Sequence, residues 1–269
     1  MGYYIAVERN VNIYTEDLGP ENGRTILFIH GWPVNNKMFE YQFNQLPKMG
    51  YRCIGVDLRG FGKSNQPWVG YSYNQLADDI RIVIDSLLLE DITLAGHSMG
   101  GAIAIRYMAR YAGHKVSKLA LFGAAAPSFT RRTDYPYGMT KEEVNKLIAA
   151  TYNDRPKMLV GFGDMFFMPG VSESLKDWFH GLGLDASGHA TAMCAISLRN
   201  EDLRQDLSRI YVPTGIFHGV YDRVCPFVLA KIMHAGIRGS ELIPFEKSGH
   251  DLFYSEQEKF NRELIRFMG

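Results

Sequence analysis

The chain reads as an α/β protein: a mostly parallel sheet with helices on both faces, interrupted once by a helical insertion. Three observations predict this. Short, nearly continuous apolar runs recur along the chain, stretches of helical period lie between them, and the alternation lapses between about Pro127 and Arg209. Runs of 4–8 apolar residues suit strands buried on both faces, and strands alternating with amphipathic helices fold as a covered parallel sheet.

Taken in order, the strand runs are TILFIH (25–30), YRCIGVD (51–57), ITLAGHS (92–98), KLALFGAA (118–125) and TGIFHG (214–219). Between the second and third, Leu76, Ile80, Val83, Ile84 and Leu87 fall on one helical face of 72–88. At the carboxyl end, Phe260, Leu264, Phe267 and Met268 do the same in 255–268. The interruption carries helical patches, a capping box from Thr140 to Glu143, and glycine or proline breaks, with no strand pattern. It is also crowded with Phe129, Tyr135, Phe162, Phe166, Phe167 and Trp178. These features divide the chain into a core of residues 1–126 and 210–269 and a helical cap, 127–209, resting on the carboxyl edge of the sheet.

Composition narrows the function classes. The chain has 269 residues, 46% of them hydrophobic, and 29 basic residues balance 29 acidic ones. That balance leaves no electrostatic footprint for nucleic acid and no basic block for an anionic membrane. Cys53, Cys194 and Cys225 are widely spaced with no CxxC pair, which suggests neither a disulfide framework nor a zinc site. The start, MGYYIAVERN, lacks the charged-then-apolar pattern of a signal peptide, and no apolar run approaches a membrane span. The expectation is a soluble, cytoplasmic protein acting on a small molecule without a metal, with self-association left open.

The chemistry begins at Gly96-His97-Ser98-Met99-Gly100, a G-x-S-x-G pattern between a buried run and the helix-forming MGGAIAIRYMARY. In that setting the serine sits on a strained strand-to-helix turn, and side chains at either glycine would strike neighbouring backbone. Serine needs a base, and the base needs an orienting carboxylate. Of eight histidines, His250 is the last and lies in a glycine-containing loop, after a strand-like run and before the final helix. Asp222 follows the run 214–219 and precedes His250, which gives the order serine, acid, histidine. Asp251, adjacent to the histidine, is badly placed to reach its ring.

An oxyanion hole requires two backbone N–H donors, one of them from the residue after the nucleophile, here Met99. The other comes from His30-Gly31-Trp32-Pro33. Pro33 has no N–H, and it restricts the backbone of Trp32 to extended conformations, which selects Trp32 as donor. Remaining features read as structural. DLRGFGKS (57–64) lacks the first glycine of a phosphate-binding loop and reads as a turn with Asp57 and Arg59 as local hydrogen-bonding partners, and His30, His97, His114 and His218 read as structural hydrogen-bonders.

With HGWP, DLRGFGKS, GHSMGG, GVYDRVCP and SGHD in this order, the sequence resembles the α/β-hydrolase superfamily over nearly its whole length. More narrowly it is similar, through residues 50–73, to the cofactor-free esterases, perhydrolases and non-haem haloperoxidases. The resemblance implies an eight-stranded, mostly parallel sheet, a small helical cap and a serine esterase mechanism without metal or haem. It implies that Ser98, Asp222 and His250 form the triad, with the Trp32 and Met99 amides as oxyanion hole. A proline at the position of Pro33 accompanies perhydrolase activity in that group, which implies a peracid-forming side activity, and serine rather than aspartate at position 98 argues against an epoxide hydrolase or haloalkane dehalogenase. The expected substrate is a small to medium ester or lactone, held by the Trp32 indole, Phe129, Phe162 and Val224. Phe129 and Phe162 are equally readable as the cap's own core. Cleavage of a carbon–carbon or amide bond by the same triad, and a ligand-binding receptor that has lost turnover, remain the alternatives.

Overall fold

The computed structural model describes residues 1–269. Its strands are β1 (Gly2–Glu8), β2 (Val11–Leu18), β3 (Arg24–Ile29), β4 (Tyr51–Val56), β5 (Ile92–His97), β6 (Val116–Phe122), β7 (Thr214–Gly219) and β8 (Ser240–Phe245). They form one sheet in the order β1-β2-β4-β3-β5-β6-β7-β8. Only β2 runs against its neighbours; the pairings from β4 through β8 are all parallel. The five apolar runs became β3 to β7, and β3, β5 and β7 are wholly or mostly buried along their length. The hairpin β1–β2 was not among those runs. It lies at the sheet edge, where β1 exposes most of its residues, so it has no need of a continuous apolar sequence.

The helices are α1 (Glu40–Phe43), α2 (Tyr73–Ser86), α3 (Met99–Tyr111), α4 (Lys141–Phe166), α5 (Glu173–Leu184), α6 (Gly188–Asn200), α7 (Val228–Gly236), α8 (Leu252–Ser255) and α9 (Gln257–Met268). Helix α2 starts where Ser72 caps the Gln75 amide, and it buries Leu76, Ile80, Val83 and Ile84 on the face the 3.6-residue period marks. No helix is long and apolar enough to cross a membrane.

Helices α4 to α6 occupy the connection between β6 and β7, which contains no strand. The capping box at Thr140 forms: its hydroxyl accepts the Glu143 N–H at 3.1 Å while the Glu143 carboxylate takes the Thr140 N–H at 2.7 Å. Helix α4 is two helices abutted at Asp154, whose backbone (φ −156°, ψ 75°) leaves the helical region. Pro156 follows two residues later, and it fits because the opening turn of a helix needs no donor there. The Asp154 carboxylate accepts the Lys157 N–H at 3.2 Å and so caps the second half.

Arg59 does not pair locally as the sequence suggested. Asp57 keeps one local partner, the Lys63 amide at 2.8 Å on its carboxylate, and takes a second from the Asn36 amide at 2.9 Å, 21 residues away. Arg59 instead reaches Asp79 on α2 with two bonds of 2.6 Å and Glu8 on β1 at 2.7 Å. A guanidinium with 1% of its side chain exposed must find carboxylates wherever they are, and a bidentate pair is the geometry that offsets its desolvation.

Strand β3 stands between β4 and β5, so the chain winds outward in both directions from this point. Connections diverge there and leave a crevice outside the carboxyl ends of the central strands. Residues that follow β3, β5, β6, β7 and β8 therefore converge at one edge.

Candidate active site

Ser98 sits between β5 and α3 with φ 53° and ψ −118°, outside every region that a non-glycine residue adopts cheaply. Strain of this kind costs on the order of 1–3 kcal/mol and survives only where surrounding bonds over-determine it. Here the Ser98 N–H donates to the Phe122 carbonyl at 2.9 Å, and the Ser98 carbonyl accepts the amides of Ala125 (2.9 Å) and Ala102 (3.2 Å). Both flanking glycines are enforced by backbone. A β-carbon at Gly96 would strike the Gly100 carbonyl, and one at Gly100 would strike the carbonyls of Ile29 and His30. The serine is 4% exposed at the first turn of a 13-residue helix, whose unpaired amides favour negative charge.

His250 and Asp222 come together although 28 residues separate them: Nδ1 of the imidazole lies 2.7 Å from Oδ2 of the carboxylate, with both side chains buried. Oδ1 accepts the amides of Val224 (2.8 Å) and Cys225 (2.7 Å), so three donors fix the acid. Burial pushes the Asp222 carboxyl up, while the neighbouring His218 and the two amides pull it back. Burial holds His250 well below the ordinary histidine value, so the ring is neutral at neutral pH. With its proton on Nδ1 toward the acid, Nε2 carries the lone pair. That nitrogen is buried and has no hydrogen-bond partner in the protein, the Ser98 hydroxyl included. Nucleophile–base bonds are often long in free enzymes and tighten with substrate.

Asp251 is committed elsewhere, as its adjacency to the histidine suggested. It accepts the Met168 N–H at 3.0 Å and the Gly249 N–H at 3.2 Å. The Trp32 amide follows β3 and donates to no protein group, while its indole N–H donates to the Thr191 carbonyl on α6 at 2.8 Å. The Trp32–Pro33 peptide is cis. Met99 is the first residue of α3, so its amide precedes the first intrahelical bond, Ala102 N–H to Ser98.

Of the substrate-binding candidates, Phe162 on α4 meets Trp32 edge to face at 5.0 Å. Val224 is buried beside Asp222, with its amide on the carboxylate. Phe129 is buried too, but the aromatic neighbours of His250 are His97 and Phe166. Phe166, edge to face with His250 at 5.3 Å, was read from the sequence only as one of the cap's crowded aromatics and not as a site residue. Its signal was available: it lies four residues after Phe162 and so on the same helical face.

The other histidines are structural hydrogen-bonders. His30 accepts the Leu58 amide at 3.0 Å and donates to the Gly31 carbonyl at 2.9 Å; His218 donates to the Cys225 carbonyl at 2.7 Å; half-buried His114 meets Asp85 at 2.9 Å. The three cysteines are buried, unpaired thiols.

Residues 24–257 match the model of a family described as alpha/beta hydrolase fold. The AB hydrolase superfamily protein YisY of Bacillus subtilis is 54% identical over 99% of both chains. The bifunctional esterase/perhydrolase DCH of Acinetobacter calcoaceticus is 30% identical over 98% of this chain and 99% of its own. Among solved structures, the esterase EaEST from Exiguobacterium antarcticum superposes with a TM-score of 0.97 at 52% identity, covering 100% of this chain and 99% of that one.

Proposed function

From its place in the α/β hydrolase fold family, to which the chain belongs, we propose that it is a serine hydrolase cleaving small to medium carboxylic esters or lactones through an acyl-enzyme. One observation carries the reading: His250, clamped by Asp222 at 2.7 Å, keeps an unpartnered Nε2 in the same crevice as a serine at φ 53°.

In this mechanism the substrate carbonyl oxygen faces the Trp32 and Met99 amides. His250 takes the Ser98 hydroxyl proton as the oxygen attacks, and Asp222 stabilises the imidazolium that results. The same histidine gives its proton to the leaving alcohol. Water, deprotonated by His250, then attacks the acyl-enzyme, releasing the acid and restoring Ser98. Each oxyanion donor in such a site is worth about 2.7–4 kcal/mol of barrier. Residues 1–126 and 210–269 act as the catalytic core of a cytoplasmic enzyme, and 127–209 as a cap that closes Phe162 and Phe166 over the acyl group, with Phe129 and Val224 contributing to the apolar wall. Ser98→Ala is expected to abolish p-nitrophenyl acetate turnover without unfolding the protein; a variant as active as the parent sinks the assignment.

A second reading is favoured by Pro33 and by the relative named an esterase/perhydrolase. Hydrogen peroxide replaces water on the acyl-enzyme: one of its oxygens bonds to the acyl carbon, its proton passes through His250 to Ser98, and a peracid leaves. The Trp32 carbonyl, whose direction Pro33 fixes, accepts a hydrogen bond from the peroxide. Pro33→Leu should lower the ratio of perhydrolysis to hydrolysis several-fold, and an unchanged ratio removes this reading.

A further inference from the structure

His97, the last residue of β5, is fully buried immediately before the proposed nucleophile and is given no part in the mechanism above. Its Nε2 lies 3.1 Å from the main-chain carbonyl of His250, 153 residues away. A carbonyl only accepts, so Nε2 carries the hydrogen and Nδ1 the lone pair. The two imidazole rings are 4.5 Å apart and inclined at 53°, and Phe253 and Phe166 close edge to face on the His97 ring at 5.0 and 5.8 Å. These contacts leave the ring one orientation.

Its other nitrogen looks toward the oxyanion loop. Nδ1 is buried without a polar partner, and a β-carbon on Gly31 would lie 2.6 Å from it and 3.1 Å from the Ser98 β-carbon. The Gly31 α-hydrogen that occupies this direction therefore points at the lone pair, a weak C–H contact that a side chain would replace with a collision. One ring thus touches the segment that supplies the Trp32 amide, the nucleophile's own strand, and the carbonyl of the base.

We propose that His97 is a positioning residue: its Nε2–H holds the His250 main chain at the depth where the imidazole can reach Ser98, while its Nδ1 edge sets how closely the Gly31–Trp32 loop approaches. This rests on the triad reading. Burial keeps the His97 ring far below the ordinary histidine pKa, so the donor and the lone pair keep their places across the working pH range.

The test compares His97→Phe, which keeps a ring and loses the donor, with His97→Gln, whose amide nitrogen reaches the position of Nε2. Loss of one buried hydrogen bond should lower kcat about tenfold in the Phe variant with KM unchanged. The Gln variant should recover most of that loss. Unchanged kcat in His97→Phe, equal losses in both variants, or a loss carried by KM each overturns the proposal. A measurement on the parent protein guards against a misfolded variant: long-range proton–nitrogen correlation of 15N-histidine should find His97 as the neutral Nε2–H tautomer, and the Nδ1–H tautomer would leave it unable to donate. Ser98→Ala is assayed beside them, since turnover persisting there removes the triad reading itself, whatever the His97 variants do.

Discussion

The carboxyl edge of the sheet and the second half of α4 face each other and are built on opposite principles. At the sheet edge, polar groups are committed one by one: Asp222 to three donors, His97 to the His250 carbonyl, the Ser98 backbone to β6 and the turn beyond it. Across from it, α4 presents Phe162 to Trp32 and Phe166 to His97 and His250. A few hydrogen bonds join the two sides. Arg223, next to Asp222, donates to the carbonyls of Asp164 (2.5 Å) and Phe167 (3.2 Å), and Asp251, next to His250, holds the Met168 amide. Under the proposed function the difference is a division of labour: bond-making is governed by directional backbone geometry, and choice of acyl group by apolar packing that a substitution can reshape.

Three substitutions or titrations press on that division. The largest effect is expected from Asp222→Asn, which spares the packing and upsets the tautomer of His250; kcat should fall by about 10³–10⁴ with KM little changed. Steady-state kinetics that put the loss in KM would mean that the acid serves binding. Phe166→Ala comes next and should act in the opposite way. Truncating this nearly fully buried ring should cost about 3–5 kcal/mol in urea unfolding. Turnover of a short ester should change less than tenfold, while longer acyl chains gain relative to acetate. A fall in acetate turnover comparable to that of Asp222→Asn would erase the distinction between the two regions.

The smallest effect is a displaced pH profile. His250, as the proposed base, works when unprotonated, and burial lowers its pKa, so the acid limb of kcat/KM should lie below the ordinary histidine value of about 6.5. Activity then persists into mildly acidic buffer; a limb at or above 6.5 would mean that the Asp222–His250 pair takes up a proton there, on the imidazole or on the carboxyl that burial pushes up.

The central sheet was readable because β3 to β7 carry nearly continuous apolar runs, and the proposed triad because chain order and loop position leave few candidates. What escaped did so for physical reasons. The β1–β2 hairpin lies at the edge and needs no continuous apolar run. The partners of Arg59 are 20 and 51 residues away, beyond the reach of local pattern. The break in α4 depends on Asp154 leaving the helical region, which Pro156 permits but does not require. Phe166 illustrates the deepest limit: a phenylalanine on a helix has the same periodicity whether it fills a core or covers a histidine. His97 was recognisable as a structural hydrogen-bonder, but that its acceptor is the main chain of His250 follows only from the folded arrangement.

The most direct measurement of the central claim, that Ser98 is a nucleophile activated by His250, is peptide mapping by mass spectrometry after reaction with a fluorophosphonate at neutral pH. The expected result is a covalent adduct on the peptide containing Ser98, formed by the parent and lost in both Ser98→Ala and His250→Ala. An adduct on another residue, or labelling of Ser98 at the parent's rate without His250, would contradict it.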